Sequence, residues 1–177
     1  MGATNNPEPA QFRDTMSLLA TGVTVVTTMT SDGPAGMTAS AVCSLSLEPP
    51  QLVACVERSL PTHAALLASE TFAVNVLSEE QVETARRFAT PGVDRFAGVP
   101  LHTEHPAPVL SDAIAYFVCT VEERHPGGDH SIFVGRVRGC GQGVEGRPLL
   151  YFGRAFGALQ APEDRLLRSW SASGSLV

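Results

Sequence analysis

The sequence predicts a mainly β domain whose antiparallel strands close into a barrel. At least six short segments are rich in β-branched and apolar residues, whereas only three or four have helical spacing. Strands and helices do not alternate along the chain, which argues against a doubly wound parallel sheet. The 16 glycines and 13 prolines provide for many turns. Because closure removes exposed strand edges, an antiparallel barrel is the expected architecture.

The length of 177 residues fits one domain, and such a domain buries roughly two-thirds of its unfolded surface. Residues 1–9 are polar and predict a flexible lead. Residues 10–159 form the expected domain, and residues 160–177 form a C-terminal tail containing one short helical segment, EDRLLRSW. The lead lacks a basic residue and no apolar window spans a bilayer, so we expect a cytoplasmic protein.

The charge composition limits the ligands. The formal net charge is −6, which disfavours binding to nucleic acid or to an anionic membrane. All 12 basic residues are arginine, which excludes Schiff-base chemistry on lysine and a phosphate-loop lysine. An anionic ligand must therefore be held by arginine, hydroxyl groups or backbone N–H groups.

Four cysteines lie far apart without a CxxC pair, so we expect free thiols on small core residues. They are Cys43, Cys55, Cys119 and Cys140.

Helical spacing marks three segments in the first half of the chain. Phe12, Met16 and Leu19 recur at i, i+4 and i+7, which predicts an amphipathic helix over residues 10–20. Pro61 begins a short helix that ends near residue 68. A third helix is expected over residues 78–88, with Ser78 as N-cap, Gln81 completing a capping box and Glu83 paired with Arg87.

The remaining segments predict strands and turns. The predicted strands are residues 23–29, 37–47, 51–57, 72–77, 113–123, 131–139 and 148–159. Turns are expected at residues 125–129 and 141–146, and residues 90–110 are expected to form a long loop with one short strand.

Two motifs suggest chemistry that their context does not support. Residues 141–146 spell GxGxxG, but Pro148 and a strand follow rather than the helix that a dinucleotide-binding motif requires, so a hairpin turn is expected. His102 and His105 lie in a proline-rich loop without a clear third metal ligand, so an exposed loop is expected. There is no GxSxG nucleophile elbow.

Three other stretches leave alternatives open. Residues 36–50 are rich in small and hydroxyl side chains, which suit either a tightly packed barrel strand or a platform where backbone amides approach a flat ligand. Residues 57–63 suit either an anion site at a helix start or a helix cap beside a solvated arginine. GGDH at residues 127–130 suits an exposed turn, and a histidine at its end is unusual.

Taken together, these segments resemble the short-chain flavin reductases, the reductase components of two-component flavin-dependent monooxygenases. The resemblance covers Phe12 to Leu159. It rests on FRDTMSLLATGVTVVTT, GMTASAVCSLSLEPPQLVACVERS, FAVNVLSEEQ with RFA, GDHSIFVGRV and PLLYFGRAFGAL. The second and fourth of these are the most specific.

The resemblance implies a Greek-key, FMN-binding split β-barrel with a few short peripheral helices, assembled as a homodimer with flavin near the interface. It implies hydride transfer from NAD(P)H to FAD or FMN, and diffusion of the reduced flavin to a partner monooxygenase. NADH is favoured over NADPH because no arginine cluster sits near GDH to hold a 2′-phosphate, although Arg136 and Arg138 follow.

The resemblance also implies the site residues. Those expected to contact the flavin ring or lie near it are Met37, Thr38, Ala39, Ser40, Ser44, Ser46, Cys55, Val56 and Glu57. Those expected at the ribityl phosphate are Arg58, Ser59 and Thr62, with Arg95 and Arg154 as further phosphate contacts. Asp129 and His130 are expected at the nicotinamide, with Tyr151 and Phe156 beside it or at the partner subunit. His130 is expected to orient the nicotinamide rather than act as a base.

Two alternatives remain on the same barrel. One is a flavin-binding or electron-carrying protein without reductase turnover, which would not need GDH. The other is an oxidase of the pyridoxamine-phosphate type, whose substrate phosphate needs a basic site that only Arg86 and Arg87 suggest.

Overall fold

The protein is described by a computed structural model over residues 6–102 and 104–159. The three helices are α1 (Pro9–Met16), α2 (Pro61–Ala68) and α3 (Val82–Ala89). The strands of the first half are β1 (Thr21–Gly22), β2 (Thr24–Thr30), β3 (Gly33–Ala39), β4 (Val42–Leu47), β5 (Pro50–Glu57) and β6 (Thr71–Val76). Those of the second half are β7 (Leu101–His102), β8 (Val109–Leu110), β9 (Ala115–Gly127), β10 (His130–Gln142), β11 (Leu149–Phe152) and β12 (Ala155–Ala158).

Seven strands form one antiparallel sheet in the order β3-β2-β6-β9-β10-β5-β4. In a flat sheet the two outer strands would lie about 29 Å apart, at about 4.8 Å per strand. However, β3 ends at Ala39 and β4 begins at Val42, a span of at most about 11 Å. The sheet must therefore curl until its two edges meet. The Cys55 N–H, which donates to Ala41 O at 2.9 Å, ties the link between those edges to β5. The predicted antiparallel barrel is confirmed.

Smaller sheets complete the architecture. β1, β11 and β12 form a three-stranded sheet, and β7 pairs with β8. The long β9–β10 hairpin extends beyond the predicted strands, so that the turn expected at residues 125–129 shrinks to Gly128 and Asp129. The expected loop over residues 90–110 contains two short paired strands rather than one. The helical segment predicted at residues 163–170 lies outside the described residues.

The single strand predicted over residues 37–47 is wrong. Met37 and Thr38 belong to β3, which pairs with β2, whereas Cys43 and Ser44 belong to β4, which pairs with β5. Ser40 and Ala41 carry the chain from one sheet edge to the other. A continuous apolar and hydroxyl pattern does not reveal such an edge crossing, because pairing partners are distant in the chain.

The third helix begins three residues later than predicted, because its N-cap is Gln81 rather than Ser78. The Ser78 N–H does donate to Gln81 Oε1 at 2.9 Å, as a capping box predicts. However, Ser78 also forms a bridge with Pro148, and the Gln81 N–H closes a turn onto Ser78 O. The expected Glu83–Arg87 pair is also wrong.

Arg86 Nη1 lies 2.6 Å from Glu83 Oε1. Arg87 instead donates to Ala97 O at 2.8 Å, because the loop after α3 folds back over the helix end.

Two large apolar clusters and a smaller third one, which contains Val109 and Val118, lie within the fold. The first contains Phe72 and Phe133 and lies inside the curled sheet, whereas the second contains Phe88 and Leu149 and joins α3 to the three-stranded sheet. Among the described residues, no helix is long and apolar enough to cross a membrane. α1 covers only the first part of the helix predicted over residues 10–20, because it ends at Met16. It buries none of its residues, so its apolar face is exposed in the single chain.

Candidate functional site

A cleft of about 610 Å³ lies between the end of β3, the end of α3 and the β11–β12 hairpin. Five predicted site residues from two distant parts of the chain line this cleft: Thr38, Ser40, Tyr151, Arg154 and Phe156. The remaining lining residues are Val23, Arg86, Ala89, Thr90 and Pro91. We call this the β3–α3 cleft. It combines hydroxyl groups, two arginines and an aromatic pair.

Backbone and side-chain contacts hold the walls of the β3–α3 cleft in place. Thr38 Oγ1 donates to Ala85 O at 2.6 Å, which fixes the end of β3 against α3. Tyr151 and Phe156 are opposite each other on β11 and β12, and their ring centroids lie 5.6 Å apart at 62°. This edge-to-face pair provides a rigid aromatic wall. Ser40 is exposed and free of the sheet ladder.

Arg154 owes its position to the hairpin turn. Gly153 and Arg154 have φ of 58° and 64°, the left-handed values that a two-residue hairpin turn requires. Arg154 Nη2 contacts Asp14 Oδ1 on α1, and the Gly153 N–H donates to Ser17 O at 2.7 Å. The hairpin and α1 therefore form one unit.

Arg86 is a cleft residue that the sequence analysis did not place there. Its side chain is 62% exposed and that of Arg154 is 58% exposed, so both cations remain accessible from solvent despite their acidic partners. The only feature of the sequence that could have indicated a cation at this site is the adjacent pair Arg86-Arg87. What the sequence did not indicate is which of the two faces β3, and Arg87 points towards Ala97 instead.

A second cluster forms where the end of β5 meets the β9–β10 turn. Glu57 and His130 are opposite each other on β5 and β10, and the Arg58 N–H donates to Asp129 O at 3.0 Å. Ser59 Oγ donates to Glu57 Oε1 at 2.5 Å. The structure thus brings together five of the predicted residues, from the segments ERS and DH.

Within this turn cluster, Asp129 and His130 form a pair. Their Oδ1 and Nδ1 atoms lie 2.7 Å apart. The hydrogen bond from His130 holds the pKa of the Asp129 carboxyl below its usual value, and the charges of His130 and Arg58 act in the same direction. A carboxylate therefore orients the imidazole at the tip of an exposed hairpin.

Thr62 does not join Arg58 and Ser59. Its side chain is 2% exposed, and Oγ1 donates to Gly36 O at 3.1 Å on β3. Arg95 Nη1 lies 2.7 Å from Gly36 O and 3.3 Å from Thr62 Oγ1. Thr62 and Arg95 line a cleft of about 370 Å³ that shares Ala89 and Pro91 with the β3–α3 cleft.

The side chains of other predicted site residues lie in neither the β3–α3 cleft nor the turn cluster. The side chains of Met37, Ala39 and Val56 are buried in the core, so only their backbone atoms can face a ligand. Ser44 and Ser46 line a separate apolar groove of about 410 Å³ rather than the β3–α3 cleft.

Alternation along β3 explains why Met37 and Ala39 are buried while Thr38 lines the cleft, since successive side chains face opposite sides of a sheet.

All four cysteines are free, as predicted, but only Cys119 is a buried core residue. Cys43 and Cys140 are exposed, so the expectation that they lie in the core is wrong for the single chain. Burial raises the pKa of Cys119 to about 12, with a smaller contribution from Cys140. Cys55 is half-buried, and burial followed by the proximity of Cys43 raises its pKa.

The GxGxxG segment and the two loop histidines have the following surroundings in the structure. No helix follows Gly146 within the described residues, where β11 is the next element. His102 is exposed, and His105 packs against Tyr116 with ring centroids 5.2 Å apart. No group of three or more His, Cys, Asp or Glu side chains within residues 6–102 and 104–159 is placed to hold a metal ion.

A family profile and a relative of named function both match this chain over most of its length. The family profile described as a flavin reductase like domain matches residues 16–160. The reductase component of a 4-nitrophenol 4-monooxygenase/4-nitrocatechol 2-monooxygenase from Rhodococcus opacus is 38% identical over 169 residues, covering 96% of this chain and 91% of that protein.

Solved structures give the same result. The Streptomyces globisporus NADH:FAD oxidoreductase, in complex with NAD and FAD fragments, matches with a TM-score of 0.83 at 37% identity, over 89% of this chain and 96% of that one. The styrene monooxygenase flavin reductase from Pseudomonas putida S12 matches with a TM-score of 0.79 at 31% identity, over 85% of this chain and 99% of that one. The split barrel predicted from the resemblance is the fold of these reductases. Because the family profile spans both the β3–α3 cleft and the turn cluster, this chain belongs to the flavin reductase family.

Proposed function

We propose that this chain is an NADH:flavin oxidoreductase that reduces FAD or FMN and releases the reduced flavin to a partner monooxygenase. The observation that carries the proposal is the β3–α3 cleft, where predicted flavin contacts from distant parts of the chain meet. Relatives named as monooxygenase reductase components and as an NADH:FAD oxidoreductase support the partner and the reductant.

The residues of the β3–α3 cleft fit a flavin. A flavin nucleotide has a flat aromatic ring, a polar edge and at least one phosphate. The Tyr151–Phe156 pair offers an apolar aromatic wall, Thr38 and Ser40 offer hydroxyl groups, and Arg154 offers a cation. A chain without lysine must hold phosphate with arginine, hydroxyls or backbone N–H groups.

A flavin bound there would supply the redox chemistry, since its ring is a hydride acceptor. The protein's own contribution is positioning and electrostatics. Arg86 and Arg154 hold negative charge in the cleft, and the hydroxyls of Thr38 and Ser40 bind the polar ring edge. The Asp129–His130 pair, which presents an oriented imidazole, binds the nicotinamide nucleotide.

We also propose that the protein is a homodimer in the cytoplasm. α1 and the following turn expose Phe12, Met16, Leu18 and Leu19, each at least 45% exposed. This apolar face lies beside the β11–β12 hairpin that lines the β3–α3 cleft, so a second copy covering the face would lie near the site. Four free thiols suit a reducing compartment.

The proposed reductase activity is tested by steady-state oxidation of NADH and of NADPH with FAD, FMN and riboflavin in turn. Turnover with NADH and a phosphorylated flavin is expected, at a lower KM than with NADPH. A protein that turns yellow with flavin but oxidises neither nucleotide would be a flavin binder, and the proposal would be wrong.

Arginine variants identify the flavin site. R154A and R86A are expected to raise the Kd for FMN about tenfold, because each removes a charge-assisted contact to phosphate. The Kd for riboflavin, which lacks phosphate, should not change. R147A is the matched control, since Arg147 is 55% exposed and ion-paired like the cleft arginines but lies at another surface. Equal effects on riboflavin and FMN would contradict the phosphate role.

A further inference from the structure

Two consecutive residues at the start of α2 bind opposite sides of the barrel. Thr62 Oγ1 donates to Gly36 O on β3. The next residue, His63, points to β10, where its Nε2 lies 2.9 Å from Ser131 Oγ. The side chains of Thr62 and His63 are both buried. The first turn of α2 therefore joins the strand that borders the β3–α3 cleft to the strand that carries the turn cluster.

Ser131 is the residue directly after His130. It is opposite Val56 on β5, one position from the Glu57–His130 pair. Beyond this point the hairpin projects into solvent, since residues 125–129 are all exposed. The hydrogen bond between His63 and Ser131 thus anchors the base of the hairpin to the helix, one residue from the Asp129–His130 pair.

The imidazole of His63 is held in one orientation. Its ring contacts Phe133 edge to face, with centroids 5.8 Å apart at 73°, and Phe133 itself is buried. Packing alone does not require an imidazole here, because an aliphatic side chain would fill a buried site without the cost of burying polar atoms. The hydrogen bond to Ser131 is what the imidazole adds.

We infer that His63 is a positioning residue for the nicotinamide nucleotide, acting through Ser131 on the Asp129–His130 pair. The inference rests on the proposed function, in which that pair binds NADH. His63 does not touch the ligand. It sets where the β9–β10 turn stands relative to the end of β5, and so where the His130 imidazole is presented.

The test compares H63L, S131A, the H63L/S131A double variant and H63Q, whose amide nitrogen can take the place of Nε2. The measurements are kcat, KM for NADH, Kd for NAD⁺ by calorimetry without turnover, Kd for flavin, and Tm. H105L is the matched control, because His105 also packs its ring on an aromatic side chain but lies away from the turn.

H63L and S131A are each expected to raise the KM for NADH and the Kd for NAD⁺ about three- to tenfold, the loss of one hydrogen bond. The double variant should lose no more than either single variant, and H63Q should restore most of the affinity. kcat, the flavin Kd and all values of H105L should stay close to those of the wild type.

A fall in Tm with unchanged NADH KM and NAD⁺ Kd would make His63 a packing residue only and overturn the inference. S131A removes one oxygen atom, so it carries the same test if H63L does not fold. Wild-type protein that oxidises no NADH and binds no NAD⁺ would instead overturn the proposed function, a result distinct from active variants with unaltered affinity.

Discussion

The Nδ1 atom of His130 and the Oδ1 atom of Asp129 lie 2.7 Å apart at the tip of the β9–β10 hairpin. The Asp129 carboxylate is 88% exposed, so the hydrogen bond is formed in contact with solvent. Adjacent residues in a tight turn can pair in this way without help from the rest of the fold. The pair therefore occupies the Nδ1 atom of an imidazole whose side chain is 39% exposed.

The pKa of Asp129 is expected to lie below its ordinary value of 3.8, mainly because His130 donates a hydrogen bond to the ionised form. A carboxyl with a lower pKa in the folded chain favours folding at pH values above 3.8, and that contribution disappears as the pH falls through the folded pKa. NMR titration of the carboxyl carbon measures this value. H130A should return the pKa towards 3.8, and an unchanged value would contradict the stated cause.

H130A is expected to weaken use of NADH more than binding of flavin. The imidazole lies in the turn cluster, not in the β3–α3 cleft. The KM for NADH should rise about tenfold while the flavin Kd changes less than twofold, the loss of a single strong contact. H125A is the matched control, because His125 lies on the same hairpin with its Nε2 2.6 Å from the Glu123 carboxylate. A larger effect on flavin than on NADH would contradict this role.

The four thiols are expected to react with a chromogenic disulfide reagent in three groups. Cys43 and Cys140 are exposed and should react fast in the native protein, Cys55 should react slowly, and Cys119 should react only on unfolding. In C119A, the number of reactive thiols should be lower than in the wild type only when the protein is unfolded in denaturant. Fast reaction of all four thiols would contradict the buried position of Cys119.

The burial of Cys119 is also expected to lower the stability of the folded protein at alkaline pH. Burial raises the pKa of Cys119 from 9.0 to about 12, so between these values the thiol ionises in the unfolded chain but not in the folded one. The free energy of unfolding should therefore decrease as the pH rises from 9.0 towards about 12. C119A should remove this part of the pH dependence, as measured by urea unfolding.

G135A is expected to destabilise the fold by about 1–3 kcal/mol through overpacking. An added Cβ would meet the ring of Phe72 at 2.4 Å and Cβ of Cys119 at 2.9 Å. G139A is the control on the same strand, because nothing lies within 4 Å of its added Cβ. Urea unfolding of both variants gives the comparison, and equal stability of the two would contradict the close packing of Phe72 on β10.

The double variant F12E/M16E is expected to convert the dimer to a monomer. Both side chains belong to the exposed apolar face of α1, and two carboxylates there would be desolvated in an interface. Light scattering after size exclusion measures the mass. L67E, at an exposed apolar position on α2, is the control and should remain dimeric. A monomeric wild type, or a dimeric F12E/M16E, would contradict an interface at α1.

Some features were predictable because their causes are local. The β-branched run of β2 and the apolar run of β5 predict strands at these positions, and Pro61 marks the start of α2. The GGD segment predicts the tight turn between β9 and β10, where Gly128 has a φ of 70°. The motifs that carry the family resemblance are also contiguous in the chain.

Partnerships between distant residues were not predictable in this way. Nothing near Thr62 indicates that its hydroxyl binds Gly36 rather than standing with Arg58, and nothing near Arg86 indicates that it faces the β3–α3 cleft. The sequence also does not indicate that the chain crosses from one sheet edge to the other at Ser40. This crossing follows from which strands pair and not from the residues at the crossing.

The sequence by itself determined the fold class, most strand positions, the reliance on arginine and the family, since propensity, composition and motifs act over a few neighbouring residues. Only the tertiary structure decided that Thr38 meets Tyr151 and Arg154 in one cleft, that His130 stands opposite Glu57, and that His63 reaches Ser131. Those contacts depend on the order and curvature of the seven-stranded sheet, which long-range strand pairing sets.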